Sequence, residues 1–129
     1  QLDDGACDFP RINDDRIGLY SEFGYCMQLK TDVKDLTFGE NLYKDHLETG
    51  KRIDHHLGDN VAGGEPVFAP KSGATQEDEG WILSLVHERE SRISKLIIID
   101  AQSFDQPPVA EVIIPQRVPY GAHGSWIQN

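Results

Sequence analysis

Four short apolar runs, each closed off by turn-forming residues, occupy the stretch from Glu65 to Pro115 and do most to limit how the chain can fold. They are Glu65 to Pro70, Gly80 to Glu88, Lys95 to Ala101 and Val109 to Pro115. Each has the length of a strand and is too short for a typical helix. Between them lie Ser72-Gly73-Ala74, Gln76 to Glu79, Arg89 to Ser94 and Asp105 to Pro108, rich in residues that favour turns. Upstream, Arg16 to Lys30 reads as an extended stretch carrying Tyr20, Phe23 and Tyr25. Asn41 to Leu57 reads as a hairpin turning at Glu48-Thr49-Gly50. Gly58 to Gly64 reads as a loop. No segment of helical length shows helical periodicity, so the expectation is an all-β fold.

Four antiparallel strands in roughly fifty residues is the size of one propeller blade. The strands before Leu57 then belong to another blade, although a sandwich fragment fits the same pattern. Two blades cannot close a ring, and natural sheets avoid leaving edges open. Together with Gln1 as the first residue, this leads to the expectation of a piece of a longer chain.

The 129 residues include 22 acidic and 12 basic side chains, a formal net charge of -10. A phosphate backbone would be repelled by that balance, so no nucleic-acid partner is expected. The longest apolar clusters, Ile82 to Val86 and Leu96 to Ile99, fall far short of a membrane span, and no secretory leader is visible. Cys7 and Cys26 form no CxxC pair and are read as free thiols.

The five histidines divide into two groups. His46, His55, His56 and His87 lie in or beside strands and read as ordinary strand residues, with His55 and His56 pointing to opposite faces. His123 follows Tyr120-Gly121-Ala122 and precedes Gly124-Ser125-Trp126, where a sharp glycine-rich turn could present it to a metal. Among the carboxylates, Glu77-Asp78-Glu79 reads as an exposed turn. Glu65 opens an apolar strand after two glycines and could point inward. Tyr120, Phe68 and Trp126 are candidates for a cavity wall, but read more simply as packing residues. No phosphate loop, GxSxG elbow, HExxH or cysteine knuckle is present.

At this point a resemblance emerges. RVPYGAHGSWI, Arg117 to Ile127, is similar to the C-terminal signature of the carotenoid cleavage oxygenases, which include lignostilbene-cleaving enzymes and the retinoid isomerohydrolase. GEPVFAP (Gly64 to Pro70), DEGWILSLV (Asp78 to Val86), KLIIIDAQ (Lys95 to Gln102) and DFPRIN (Asp8 to Asn13) resemble other segments of that family in the same order. The resemblance implies that residues 1–129 are the C-terminal blades of a seven-bladed β-propeller, with residues 65–115 forming about one blade and 116–129 carrying an iron ligand.

In that family four histidines hold Fe(2+), and the last of them matches His123. The other three lie upstream of the matching region and are not reassigned to His46, His55 or His56. Glu65 matches a glutamate that accepts a hydrogen bond from a ligand histidine, here His123. Asp8 stands where the family has a second such glutamate, one methylene shorter. The implied activity is oxidative cleavage of a conjugated alkene with O2, the substrate being a carotenoid, apocarotenoid or stilbene-like molecule. Isomerohydrolase-like activity and a non-catalytic binding fragment are the alternatives. A soluble protein of the cytoplasm or plastid is expected, with any peripheral membrane contact made by parts outside this chain.

Overall fold

A computed structural model describes residues 5–31, 37–121 and 123–127. Ala122 and residues 128–129 of the expected ligand segment lie outside the described residues, as do residues 1–4 and 32–36. The structure is all-β. Strands β1 (Cys7–Arg11), β2 (Phe23–Lys30), β3 (Thr37–His46) and β4 (Arg52–His56) form one antiparallel sheet in chain order. Strands β5 (Val61–Ala62), β6 (Val67–Pro70), β7 (Gly80–Glu88), β8 (Ile93–Asp100) and β9 (Ala110–Ile114) form the second. There β5 and β6 pair in succession with the same side of β7, so the sheet is a four-stranded meander whose first strand is interrupted.

Alternation along β7 explains the layering. Ile82, Ser84 and Val86 are buried against the first sheet, while Trp81, Leu83, Leu85 and His87 take the opposite face. Tyr25, Met27 and Leu42 of the first sheet join Val61, Phe68, Ile82, Ile97, Ile99 and Phe104 in one core. The Tyr25 and Phe68 rings stack across it with centroids 5.8 Å apart. These are two blades of a propeller packed face to face.

Polar ties cross the same junction and correct one sequence expectation. In the turn Glu77-Asp78-Glu79 only Glu79 keeps its hydrogen bonds within the exposed connection. Glu77, its side chain 7 % exposed, accepts the backbone N–H groups of Glu22 and Phe23. Asp78 pairs at 2.7 Å with the buried Lys44, whose Nζ also donates to the Ala101 carbonyl. Glu79 accepts from Thr75. A charge run inside a connection reads as solvated unless the facing sheet is known, and here that sheet brings its own unpaired groups.

Strand boundaries also move. Asp14–Arg16 is a single 3-10 turn capped by Asn13, and β2 begins only at Phe23, leaving Tyr20 exposed. Strand β1 was not foreseen as a strand, β3 begins earlier than Asn41, and the loop read at Gly58 to Gly64 contains β5. The strand read from Glu65 begins at Val67. Between Ala62 and Val67 the first strand advances five residues while β7 advances four, from His87 to Leu83. Pro66 has no N–H to give to a ladder. A Cβ on Gly64 would overlap the Leu85 carbonyl, so glycine permits that close approach. Glu65 is thereby released from the strand pairing.

The histidines read as ordinary strand residues have local partners. His55 is buried and its Nδ1 lies 2.7 Å from the Phe104 carbonyl, where it donates. His46 meets Glu22, His56 meets Asn41 and Asp59, and His87 meets Ser94. Both cysteines are free.

Candidate metal-ligand site

A bulge in β1 starts the site. From Asp8 to Arg11 the strand advances three residues, while its partner β2 advances two, from Met27 to Tyr25. The extra residue brings Phe9 to φ 53°, a conformation that is rare for a bulky side chain. The Asp8 carboxylate accepts the Phe9 N–H at 2.7 Å and so supports the bulge. The displaced Phe9 ring meets the His123 ring edge-on at 5.4 Å and the Phe38 ring at 5.8 Å. Beyond the bulge, Arg11 reaches across to the interrupted strand of the second sheet.

Glu65 is the hub. Its side chain is 8 % exposed. Oε1 accepts from His123 Nδ1 at 3.0 Å and from Arg11 Nη1 at 3.0 Å. Oε2 accepts the backbone N–H of Gly124. Burial pushes the Glu65 carboxyl upward, but the hydrogen bonds from His123, Gly124 and Arg11 outweigh it and hold the group below the usual carboxylate range. An ionised Glu65 has no proton to give, so the proton between it and His123 sits on Nδ1. In the neutral form of the ring the remaining nitrogen, Nε2, presents a lone pair, and among the described residues it has no hydrogen-bond partner.

The turn around His123 is held mainly from outside. The described residues of segment 115–127 have no regular secondary structure, and the His123 side chain is 74 % exposed. Arg11 Nη1 donates to the Gly124 carbonyl at 2.8 Å, and the Val118 N–H donates to Ser94 Oγ. The segment crosses the outer face of β7 and β8, enclosing a cavity of about 260 Å³. Phe38, Val67, Leu83, Leu85, Tyr120 and Trp126 supply its apolar walls, with Glu65 and His123 at its edge. Tyr120 and Trp126 thus line a cavity, whereas Phe68 belongs to the core.

The structure brings His123 and Glu65 together. Asp8 is exposed, and its carboxylate accepts the N–H of its own neighbour, Phe9. Sequence reasoning passed over Arg11 and Phe9, although both lie within the DFPRIN segment. Nothing in the sequence marks the bulge that turns them toward His123. Among the described residues no group of three His, Cys, Asp or Glu side chains could hold a metal ion. One imidazole with a fixed Nδ1–H and a free Nε2 fits an Fe(II) centre as a single ligand of a larger set.

The sequence pattern of the retinal pigment epithelial membrane protein family matches residues 1–128. The apocarotenoid-15,15'-oxygenase of Synechocystis sp. is 30% identical over 124 residues, covering 96% of this chain and 25% of that protein. The carotenoid 9,10(9',10')-cleavage dioxygenase 1 of Arabidopsis thaliana is 33% identical, covering 98% of this chain and 25% of that protein. Resveratrol cleavage oxygenase 1 of Aspergillus fumigatus is 33% identical, covering 99% and 28%. The cobalt-substituted Synechocystis apocarotenoid oxygenase superposes with a TM-score of 0.90 at 28% identity, over 99% of this chain and 26% of that one. The chain therefore spans about a quarter of the length of the curated relatives it matches.

Proposed function

This chain belongs to the retinal pigment epithelial membrane protein family, that of the carotenoid cleavage oxygenases, and from that premise we propose that it is the C-terminal quarter of an Fe(II)- and O2-dependent dioxygenase. The full-length enzyme splits a carbon-carbon double bond of a carotenoid, apocarotenoid or stilbene-like substrate into two carbonyl products. The relatives' names support that substrate range, since they act on carotenoids, an apocarotenoid and resveratrol.

One observation carries the reading: His123 Nδ1 is tied to the buried carboxylate of Glu65 at 3.0 Å, which leaves Nε2 as the donor atom. A carboxylate in that position fixes the tautomer and ring orientation and raises the basicity of the ligating nitrogen. His123 is one iron ligand, Glu65 its orienting partner, and blades outside this chain supply the other histidines. Asp8 holds an upstream histidine in the same way through Oδ2, its Oδ1 being committed to Phe9. Bound iron supplies the place where dioxygen is activated beside the alkene. This chain's part is to aim one imidazole and to offer an apolar wall, through Phe38, Leu83, Leu85 and Trp126, that excludes water and accepts a polyene or stilbene.

The test is product analysis on the full-length protein with iron and a conjugated substrate. Two carbonyl fragments formed only in the presence of O2 support dioxygenase function. A single alcohol and an acid from a retinyl ester would instead show isomerohydrolase chemistry. A folded protein that retains no iron would show a binding module.

A further inference from the structure

His123 is three-quarters exposed and stands in a segment without regular structure, so packing does not fix its direction. Its orientation comes from Glu65, from the Phe9 ring edge and from the backbone at Gly124. Arg11 touches two of these three. Its Nη1 donates both to Glu65 Oε1, at 3.0 Å, and to the Gly124 carbonyl, at 2.8 Å. Its Nη2 is held at the far side by the Asp14 carboxylate, at 3.2 Å. The Arg11 side chain is only 16 % exposed and its bond to Glu65 is partly buried, while its bonds to Gly124 and Asp14 lie at the surface.

Resting on the iron-ligand reading of His123, we propose that Arg11 is a positioning residue for that ligand. The guanidinium ties the first blade to the second at one point, between the Asp14 turn and the Gly124 turn. It holds the carboxylate and the peptide that flank the imidazole in a single arrangement. The planar fork suits this task, because one group must reach three acceptors in fixed directions. Without it, Glu65 keeps two donors but can swing, the Gly124 carbonyl loses its partner, and the His123 turn gains freedom. Metal is then bound by a ligand that must be ordered each time. Lysine at this position keeps the charge but, as a point donor, cannot span Asp14 and Gly124 together.

The test uses the full-length protein loaded with Co(II), whose visible absorption reports ligand geometry. Arg11→Met should lose the metal to a chelator on the order of tenfold faster than the unsubstituted protein. Its cobalt spectrum should change, and Arg11→Lys should fall between the two. A purely structural role would lower the unfolding temperature of the metal-free protein and leave the cobalt spectrum of the folded fraction unchanged. That result would overturn the proposal. Should Arg11→Met fail to fold, Asp14→Asn removes only the outer anchor. It should then shift metal retention in the same direction by a smaller factor, and unchanged retention would count against the clamp. A His123→Ala control separates the two ideas. If it retains cobalt, the ligand reading fails. If it loses cobalt while Arg11→Met does not, only the positioning role fails.

Discussion

The two faces of the second sheet are built on different principles. On the inner face Ile82 and Ile99 are completely buried against Met27 and Leu42 of the first sheet, and the buried cation of that junction, Lys44, is paired and hydrogen-bonded. The outer face carries an irregular segment in which Tyr120 is 53% exposed and His123 more so; Arg11 donates a hydrogen bond to it, and Glu65 and Ser94 accept from its backbone N–H groups. On the inner face van der Waals contact does the positioning. On the outer face a few directional bonds do it, which gives the His123 side chain one orientation without a closed core around it. Stability and metal binding should therefore respond to different substitutions.

The largest effect expected from the core is that of Ile82→Ala. It should destabilise the full-length protein by about 2–5 kcal/mol, read from denaturant unfolding, because the site lies between two sheets and cannot collapse. A cost below about 1 kcal/mol would break the contrast by showing that the sheets' junction is loose. Lys44→Met comes next. It leaves Asp78, 13 % exposed, without its cation, and should cost about 2–3 kcal/mol, somewhat less than a fully buried pair would because water reaches the carboxylate.

A smaller and pH-dependent effect belongs to His55. Burial lowers its affinity for a proton, and the bond to the Phe104 carbonyl offsets this only in part. The folded state thus disfavours the charged ring. Stability from this group is fully present above the ordinary imidazole value of about 6.5 and is lost as pH falls from there through the lowered folded value. His55→Gln should remove that slope from the difference in unfolding midpoint between pH 8 and pH 5. A persisting slope would assign it to another group. The smallest stability effect should be that of His123→Ala, within about 0.5 kcal/mol, because the side chain is mostly in water.

Much of this was legible in the sequence where period and turn chemistry decide the outcome. Strands β7 and β8 and the hairpin at Thr49-Gly50 announce themselves by short apolar runs between turn residues. His123 and Glu65 stand out only through the resemblance of their segments, since a lone loop histidine carries little signal. The rest depended on contacts distant in sequence. Glu77 and Asp78 look like a solvated turn until the backbone of Glu22 and the amine of Lys44 are brought to them. Arg11 carries no signal of its own, and only a bulge brings it to Glu65, 54 positions away along the chain. Bulges and interrupted strands are set by pairing partners, which no local pattern contains. Among the described residues no helix is long and apolar enough to cross a membrane.

The central claim is that the outer-face turn delivers His123 to iron. Its most direct test is iron per chain in the full-length protein and in His123→Ala, each verified as folded by circular dichroism. The account predicts about one iron in the first and almost none in the second, with unfolding midpoints nearly equal. Equal iron in both proteins would contradict it and leave His123 as a surface histidine beside a buried carboxylate.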